Sequence, residues 1–251
     1  MKYAVGIPTR NREPMLGKTL KALLGQSLPP SLVIIVDNND KPNTGKDKVG
    51  DTEFIRVPCD FRMPGPEQGH QTVLRHAARR GFGVAVRWDD DLVPEKQTME
   101  ALVRRIGVDK CVGAGGMYPK PGEARKSGPQ GSGDGNPRHL QFFAWDHEPG
   151  GYPVIERKHL YSSFAYSVSA ALLAGGFCVE YSRFGQRGET DFSLRLAREG
   201  RLVVDTAALA WHHWAPGGRR MDDEEMIALS AMDEDLFVRR MIAYGIDQKA
   251  W

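Results

Sequence analysis

The first half of the chain alternates short apolar segments with stretches whose apolar residues recur at helical spacing. Tyr3–Ile7 and Leu32–Val36 predict two strands, and the second is apolar throughout, which is typical of a strand covered on both faces. Between them, Leu16, Leu20 and Leu23 form the apolar stripe of a helix. This succession of strand, helix and strand predicts an α/β fold with a mostly parallel central sheet flanked by helices.

The pattern continues along the first half and then breaks. Residues 54–57 and 84–88 predict the third and fourth strands, and apolar positions within 73–78 and 99–106 predict two more helices. Residues 116–139 hold six Gly and four Pro among 24 residues, which predicts a long flexible loop. The loop's basic residues indicate an anionic partner, with a solvated insertion as the alternative; they are Lys120, Arg125, Lys126 and Arg138.

Regular elements return after this loop. Three further strands are predicted there, at residues 164–168, 202–205 and 209–211. Three further helices are predicted at residues 169–174, 191–199 and 222–244. The acidic run that opens the last helix suits the positive end of its dipole. The sequence shows no internal repeat, so we expect residues 1–251 to form one domain.

Composition and charge narrow the class of protein. The chain is 41% hydrophobic and 26% charged, which excludes a disordered or collagen-like chain. Its 34 Lys and Arg nearly balance its 32 Asp and Glu, unlike a dedicated nucleic-acid binder. The cysteines are odd in number and form no Cys-x-x-Cys pair: Cys59, Cys111 and Cys178. Without a membrane span or a signal-peptide core in the sequence, we expect a cytoplasmic protein.

Three consecutive carboxylates follow the predicted fourth strand. Asp89, Asp90 and Asp91 therefore lie at the carboxyl edge of the sheet, where open α/β sheets bind ligands. Asp89 and Asp91 would project to the same side, and two carboxylates about 4 Å apart repel by roughly 4 kcal/mol at an effective dielectric near 20. A divalent cation removes that repulsion, and Mg²⁺ or Mn²⁺ bound in this way is typically shared with substrate phosphates. The alternative is an acidic turn that leads into a helix at Pro94.

An ordered series of motifs carries a family resemblance. Residues 5–12 (Val-Gly-Ile-Pro-Thr-Arg-Asn-Arg), 33–40 (Val-Ile-Ile-Val-Asp-Asn-Asn-Asp), 88–91 (Trp-Asp-Asp-Asp), 171–177 and 188–196 together resemble the family 2 glycosyltransferases of GT-A fold. That family carries an Asp-x-Asp after the fourth strand and a Glu-Asp motif before a later helix. The resemblance implies a Rossmann-like GT-A domain. This sequence departs from the pattern in having Arg10 in place of an aromatic residue and Gly188 in place of the Glu of Glu-Asp.

The resemblance also implies roles for individual residues. Nucleotide-sugar binding falls to Pro8, Thr9, Arg10, Asn11, Asp37, Asn38, Arg75, Asp89 and Asp90. Metal binding falls to Asp89, Asp91 and His213, with His212 as the neighbouring alternative. Glu189 takes the position of the general base that accepts the proton of the acceptor hydroxyl, with Asp191 as the fallback.

The function implied is a metal-dependent, inverting transfer of sugar from a nucleotide-diphospho-sugar, expected to be a UDP-sugar, with Mn²⁺ or Mg²⁺ as cofactor. Residues 1–115 would form the nucleotide-sugar-binding half, 116–220 the acceptor-binding and catalytic half, and 221–251 a C-terminal helix. The acceptor would be anionic, such as a modified nucleic acid or a glycan. Two alternatives remain. A sugar nucleotidyltransferase would open with a glycine-rich loop that residues 6–10 lack, and a noncatalytic module would bind a sugar nucleotide or a polymer without turnover.

Overall fold

The computed structural model describes residues 1–62, 64–123, 126–127, 141, 145–146, 154–214 and 222–247. Its strands are β1 (Ala4–Thr9), β2 (Leu32–Asp37), β3 (Gly45–Val49), β4 (Thr52–Pro58), β5 (Val84–Arg87), β6 (Leu92–Pro94), β7 (Cys111–Met117), β8 (Lys126–Ser127), β9 (Trp145–Asp146), β10 (Val154–Arg157), β11 (Phe164–Ser167) and β12 (Arg201–His212). Its α-helices are α1 (Glu13–Leu24), α2 (Pro66–Arg79), α3 (Thr98–Arg105), α4 (Val168–Leu173), α5 (Gly188–Leu196) and α6 (Asp223–Ala243), and a 3₁₀ turn covers Val108–Lys110.

A mixed sheet forms the centre of the molecule. Its strands run in the order β10-β12-β7-β11-β5-β1-β2-β4-β3, and β6 pairs with β12. The pairs β5-β1, β1-β2 and β2-β4 are parallel, which confirms the parallel arrangement predicted for the first half. Strand β11 lies antiparallel between β5 and β7, so a strand from the second half of the chain is inserted beside the first half.

The core is divided between the two faces of this sheet. Alternate residues of β1 point to opposite faces: Ala4 joins one cluster with Val73 of α2, and Val5 joins the other with Leu16 of α1. Gly6 lies under α2, because a Cβ there would be 2.1 Å from a methyl group of Val73. The missing side chain lets α2 approach β1 closely, which brings the first turn of α2 near the carboxyl edge of the sheet.

Several elements differ from the sequence prediction. No strand was expected at the positions of β3, β6, β7, β8, β9 and β10. The separate strands predicted at 202–205 and 209–211 are one strand, β12, whose register against β7 shifts between Val204 and Leu209. The expected loop from residue 116 begins later, because Gly116 and Met117 complete β7. Of its basic residues, Arg125 and Arg138 lie outside the described residues, as does the side chain of Lys126.

Candidate active site

Three predicted segments converge at the carboxyl edge of the parallel strands. Thr9 ends β1 opposite Asp37 of β2, and the amide of Trp88, directly after β5, donates to the carbonyl of Gly6 at 3.0 Å. The Thr9 hydroxyl donates to Asp90 Oδ2 at 2.7 Å. The acidic cluster, residues 89–91, therefore adjoins the ends of β1 and β2, as the prediction of a ligand edge required.

Asp90 is a buried anchor of this cluster. Its side chain accepts from Thr9 and, at 2.9 Å, from Arg12 Nη1, while its backbone carbonyl accepts from the Thr19 hydroxyl of α1 at 2.9 Å. Burial raises the pKa of Asp90, and Arg12 and the Thr9 hydroxyl oppose that effect. These contacts hold Asp90 against α1, so it supports the turn on which Asp89 and Asp91 stand.

Asp91 meets both a cation and a histidine. Its Oδ2 lies 3.3 Å from Arg12 Nη1, and its Oδ1 lies 3.3 Å from His212 Nε2. The predicted ligand His213 is exposed and reaches Asp91 through its backbone amide, which donates to the Asp91 carbonyl at 3.0 Å. The structure thus brings the ring of His212, the alternative in the sequence prediction, to the acidic cluster. The His212 ring stacks on Trp214, with ring centroids 4.8 Å apart.

Arg12 supplies positive charge directly to the cluster. Burial lowers the pKa of Arg12, but Asp90 first, and then Asp91 and Asp89, raise it above its usual value. Arg12 belongs to the first motif of the family resemblance, which implied no role for it. The structure places its guanidinium where it pairs with two carboxylates at once.

Asp89 faces the second half of the chain. Its backbone amide donates to Ser163 Oγ at 3.0 Å, and its Oδ2 accepts from Ser162 Oγ at 2.5 Å. Ser162 has a φ of +53°, a left-handed conformation that a serine adopts at some cost. The Ser162 carbonyl in turn accepts from Arg87 Nε at 2.7 Å. The orientation of Asp89 therefore depends on the turn before β11.

The residues assigned to the nucleotide line the ends of β1 and β2. Asp37 Oδ1 accepts from the amide of Asn39, and Oδ2 accepts from the amide of Asn43 and from Arg56 Nε, at 2.9 to 3.0 Å. Asn38 Nδ2 donates to the Gly65 carbonyl at 3.2 Å, and its Oδ1 is buried without a hydrogen-bond partner among the described residues. A buried acceptor without a donor is costly in a folded protein, so Asn38 Oδ1 is suited to a ligand donor.

The first motif continues around the same edge. Arg10 Nη2 pairs with Asp40 at 3.0 Å, and the amide of Asn11, a residue with a φ of +54°, donates to Asn39 Oδ1 at 3.0 Å. Pro8 packs against α2 at Gly69, where a Cβ would lie 2.7 Å from the proline ring. These contacts tie the loops that follow β1 and β2 to each other.

Arg75 lies apart from this group. Its guanidinium pairs with Asp60 at 3.5 Å and lies over the Phe61 ring at 4.8 Å. Both partners follow β4, which is three strands away from β5 in the sheet, or about 14 Å at the usual strand spacing. The structure does not bring Arg75 to the acidic cluster.

The two candidate bases have different surroundings. Asp191 is fully buried: Oδ1 accepts from Arg195 Nε at 2.7 Å and Oδ2 from Arg240 Nε at 2.8 Å. Glu189 is partly exposed in the first turn of α5. Both carboxylate oxygens of Asp191 are engaged by cations in the interior, so Glu189 is the more accessible of the two carboxylates.

Two buried residues that sequence reasoning missed lie between these parts. Arg87 Nη1 donates to Glu67 Oε1 at 2.6 Å, and both side chains are buried. Burial lowers the pKa of Arg87, but Glu67 first, and then Asp89 and Glu189, raise it above its usual value. Arg87 thus interacts electrostatically both with Asp89 of the acidic cluster and with Glu189. Burial raises the pKa of Glu67 to about 7, with Arg87 acting in the opposite direction.

The sequence of residues 4–158 matches the family model for Glycosyl transferase family 2. The chain belongs to glycosyl transferase family 2. The resemblance drawn from the sequence motifs is thereby confirmed, and the match favours this family over the nucleotidyltransferase alternative. Comparison with curated proteins gives no match.

Solved structures of glycosyltransferases share the fold. S. aureus TarS 1-349 in complex with UDP-GlcNAc has a TM-score of 0.60 at 14% identity, over 97% of this chain and 73% of that chain. Mannosyltransferase PcManGT from Pyrobaculum calidifontis, in complex with GDP-Man and Mn²⁺, has a TM-score of 0.61 at 14% identity, over 100% of this chain and 66% of that chain. A longer TarS structure gives 0.55 at 14% identity, and this family 2 chain spans 44% of its length. At this level of identity the likenesses show the GT-A fold.

The cluster has the chemistry of a partial metal site. Asp91 Oδ1 and His212 Nε2 converge to 3.3 Å, and a carboxylate and an imidazole are both ligands that Mn²⁺ accepts. Over the described ranges, no three His, Cys, Asp or Glu side chains are grouped as a complete metal site. Asp91 and His212 are thus two side chains of the right chemistry to hold a divalent cation, and Mg²⁺ in proteins usually keeps water and substrate phosphates as further ligands. In the same ranges, no helix of this family 2 protein is long and apolar enough to cross a bilayer.

Proposed function

We propose that this family 2 chain transfers a sugar from a nucleotide-diphospho-sugar to an acceptor hydroxyl. The observation that carries the proposal is the convergence of Asp91, His212 and Arg12 at the sheet edge that also holds Asp37 and Asn38. Such an edge offers polar groups for a nucleoside next to charges for a diphosphate. The structural neighbours support a donor of this class, since one is named with UDP-GlcNAc and another with GDP-Man.

On the donor side, we place the nucleoside against the ends of β1 and β2. Both Asp37 oxygens already accept protein donors, and an ionised carboxylate has further lone pairs for ribose hydroxyls. Asn38 Oδ1, buried without a protein donor among the described residues, accepts from the base or the ribose. We propose a UDP-sugar as the donor and treat a GDP-sugar as the competing outcome of the test below.

The diphosphate belongs beside the acidic cluster. Asp91 and His212 would hold a divalent cation, with Asp89 as a further carboxylate, and the bound cation would stabilise negative charge on the departing nucleoside diphosphate. Arg12, which pairs with Asp90 and Asp91, would donate hydrogen bonds to phosphate oxygens. A guanidinium binds phosphate and carboxylate well, because its fixed N–H donors match the spacing of the oxygens in these anions.

Glu189 is the proposed general base. The acceptor oxygen attacks the anomeric carbon, the bond from that carbon to the diphosphate oxygen breaks, and its electron pair leaves with the nucleoside diphosphate. The hydroxyl proton moves to the Glu189 carboxylate. A single displacement of this kind inverts the anomeric configuration, and general-base catalysis contributes about 10² to 10⁴ in rate.

The acceptor is proposed to be anionic, such as a modified nucleic acid or a phosphorylated glycan. Among the basic residues of the 116–139 segment, Lys120 is described, and its ammonium lies 5.0 Å from the centre of the Trp214 ring. Trp214 is 55% exposed and stacks on His212. An exposed aromatic ring with a cation beside it suits a sugar ring that carries negative charge.

The first test is a thermal-shift screen of nucleotide sugars with and without Mn²⁺, followed by turnover of those that bind. A ligand that binds only the folded state raises the melting temperature by mass action, and we expect a UDP-sugar to do so only with Mn²⁺. Binding without turnover under any acceptor condition would favour the noncatalytic alternative. A larger effect of GDP-sugars would replace UDP as the nucleotide.

Two substitutions separate donor binding from chemistry. Asp91→Asn removes a proposed cation ligand, so we expect the Mn²⁺-dependent thermal shift to disappear. Glu189→Gln removes the base, so we expect the thermal shift to persist while kcat falls about 10²-fold or more. Undiminished kcat in Glu189→Gln would show that another group takes the proton.

A further inference from the structure

Glu67 and Gly188 compete for the same space. A Cβ built on Gly188 would lie 2.3 Å from Glu67 Cγ, 2.4 Å from its carboxyl carbon and 2.7 Å from its Oε1. Gly188 is the first residue of α5 and directly precedes Glu189. The carboxylate of Glu67 therefore fills the volume that a side chain at position 188 would take, which accounts for the glycine found there in place of an acidic residue.

Glu67 also begins a chain of hydrogen bonds that ends at the acidic cluster. Its Oε1 accepts from Arg87, Arg87 donates to the carbonyl of Ser162, and the Ser162 hydroxyl donates to Asp89. Ser162 has a left-handed backbone, so its conformation needs support from outside its own loop. Arg87 supplies that support, and Glu67 is the partner that compensates the buried charge of Arg87.

We infer that Glu67 is a positioning residue for the proposed transfer, acting through Arg87 and Ser162 on Asp89 and through its contact with Gly188 on Glu189. This inference rests on the proposed function, in which Asp89 is a carboxylate that helps to hold the cation and Glu189 is the general base. Glu67 itself is fully buried and does not meet substrate. Its effect is to fix where those two carboxylates stand relative to one guanidinium.

The role of Glu67 can be tested because residues 67 and 188 share one space. Glu67→Ala leaves Arg87 without its carboxylate, and we expect kcat to fall at least tenfold and Mn²⁺-dependent binding of UDP or GDP to weaken about threefold to tenfold. Gly188→Asp in the Glu67→Ala background returns a carboxylate from the side of α5. A Cβ at position 188 lies 2.4 Å from the place of the Glu67 carboxyl carbon. The aspartate carboxyl carbon lies one bond, about 1.5 Å, beyond that Cβ and so can reach the same place. The Gly188 backbone has no positive φ, so the double variant is expected to recover most of both losses.

A matched control comes from the neighbouring position. Gln68 is buried in the same turn of α2, where its Nε2 donates to the carbonyls of Val179 and Tyr181 at 2.8 and 2.6 Å. Gln68→Ala should lower the melting temperature as Glu67→Ala does, with kcat and nucleotide binding within about twofold of the parent chain. Gly188→Asp alone should be the least stable variant, because it places two carboxylates in one space.

The outcomes separate the two claims. A parent chain that binds UDP or GDP with Mn²⁺ but turns over no nucleotide sugar overturns the proposed function, while the nucleotide-binding comparison still decides the role of Glu67. Parent-like kcat and binding in Glu67→Ala would overturn the inference. So would a Gln68→Ala variant that loses as much of both, or a double variant that folds and recovers neither, because each reduces Glu67 to a residue of the core.

Discussion

At the scale of single residues, Arg12 and a divalent cation compete for the same negative charge. Arg12 Nη1 contacts Asp90 at 2.9 Å and Asp91 at 3.3 Å, so the protein itself offsets part of the negative charge of the cluster. A cation that binds Asp91 before the nucleotide arrives is repelled by the guanidinium. A diphosphate relieves that repulsion by giving Arg12 another partner. Cation and nucleotide are therefore expected to bind cooperatively.

Arg12→Met tests this competition. We expect the variant to bind Mn²⁺ alone about tenfold more tightly, which corresponds to about 1.4 kcal/mol of repulsion removed, and to bind UDP more weakly. The measurement is the electron paramagnetic resonance signal of free Mn²⁺ during titration. Arg10→Met is the control, because Arg10 pairs with Asp40 instead. Mn²⁺ binding that is unchanged or weaker in Arg12→Met would contradict the competition.

Part of the site could be predicted from sequence because its residues follow apolar strands directly. Thr9, Asp37 and the acidic cluster were located in this way. Arg12 and Glu67 could not be given roles, since Arg12 meets an aspartate 78 positions away and Glu67 meets an arginine 20 positions away. Arg87 did carry a signal: a cation that ends an apolar strand must be buried and paired, and buried charges are rare without a partner.

At the scale of elements, Asp191 joins α5 to α6. Its two oxygens accept from Arg195 of α5 and Arg240 of α6. Asp191→Asn removes the carboxylate that both arginines share, so we expect the free energy of unfolding to fall by about 3 kcal/mol. The measurement is urea denaturation, with kcat per folded molecule determined well below the melting temperature. A stable variant with a greatly reduced kcat would instead make Asp191 the base.

The elements missed from the sequence have identifiable causes. All five residues of β3 are exposed, so this edge strand lacks the apolar alternation that marks a half-buried strand. β7 contains three glycines in seven residues, a composition that resembles a loop. β12 was divided in two because its register irregularity covers the residues between Val204 and Leu209. These strands are specified by their neighbours in the sheet more than by their own residues.

At the scale of the whole molecule, the insertion of β11 couples the two halves of the chain. β11 pairs with β5 on one side and β7 on the other, and the turn before it carries Ser162 and Ser163 to Asp89. The residues of the acidic cluster therefore belong to the first half of the chain, and some of their hydrogen-bond partners belong to the second half. A sequence reading that treats 1–115 and 116–220 as separate halves misses this dependence.

The stability of the whole molecule should depend on pH through Glu67. The Glu67 carboxyl faces Arg87, Glu189 and Asp191, and burial raises its folded-state pKa to about 7. A raised folded-state pKa means that the folded chain holds the proton more tightly than the unfolded chain. The stabilisation is complete below the unfolded pKa of about 4.3 and is lost as the pH rises through the folded pKa.

Glu67→Gln removes this titration while keeping the side chain's size. Between about pH 5 and pH 8, we expect the free energy of unfolding of the parent chain to fall relative to the variant by on the order of 3 kcal/mol, which follows from the difference between the two pKa values. Urea denaturation of both proteins across this range measures the difference. His70, close to Arg87 and buried, has a pKa lowered by burial and acts equally in both proteins. Parallel pH profiles would mean that the carboxyl of Glu67 titrates alike in the folded and unfolded chains, so that Arg87 fully offsets the cost of burying its charge.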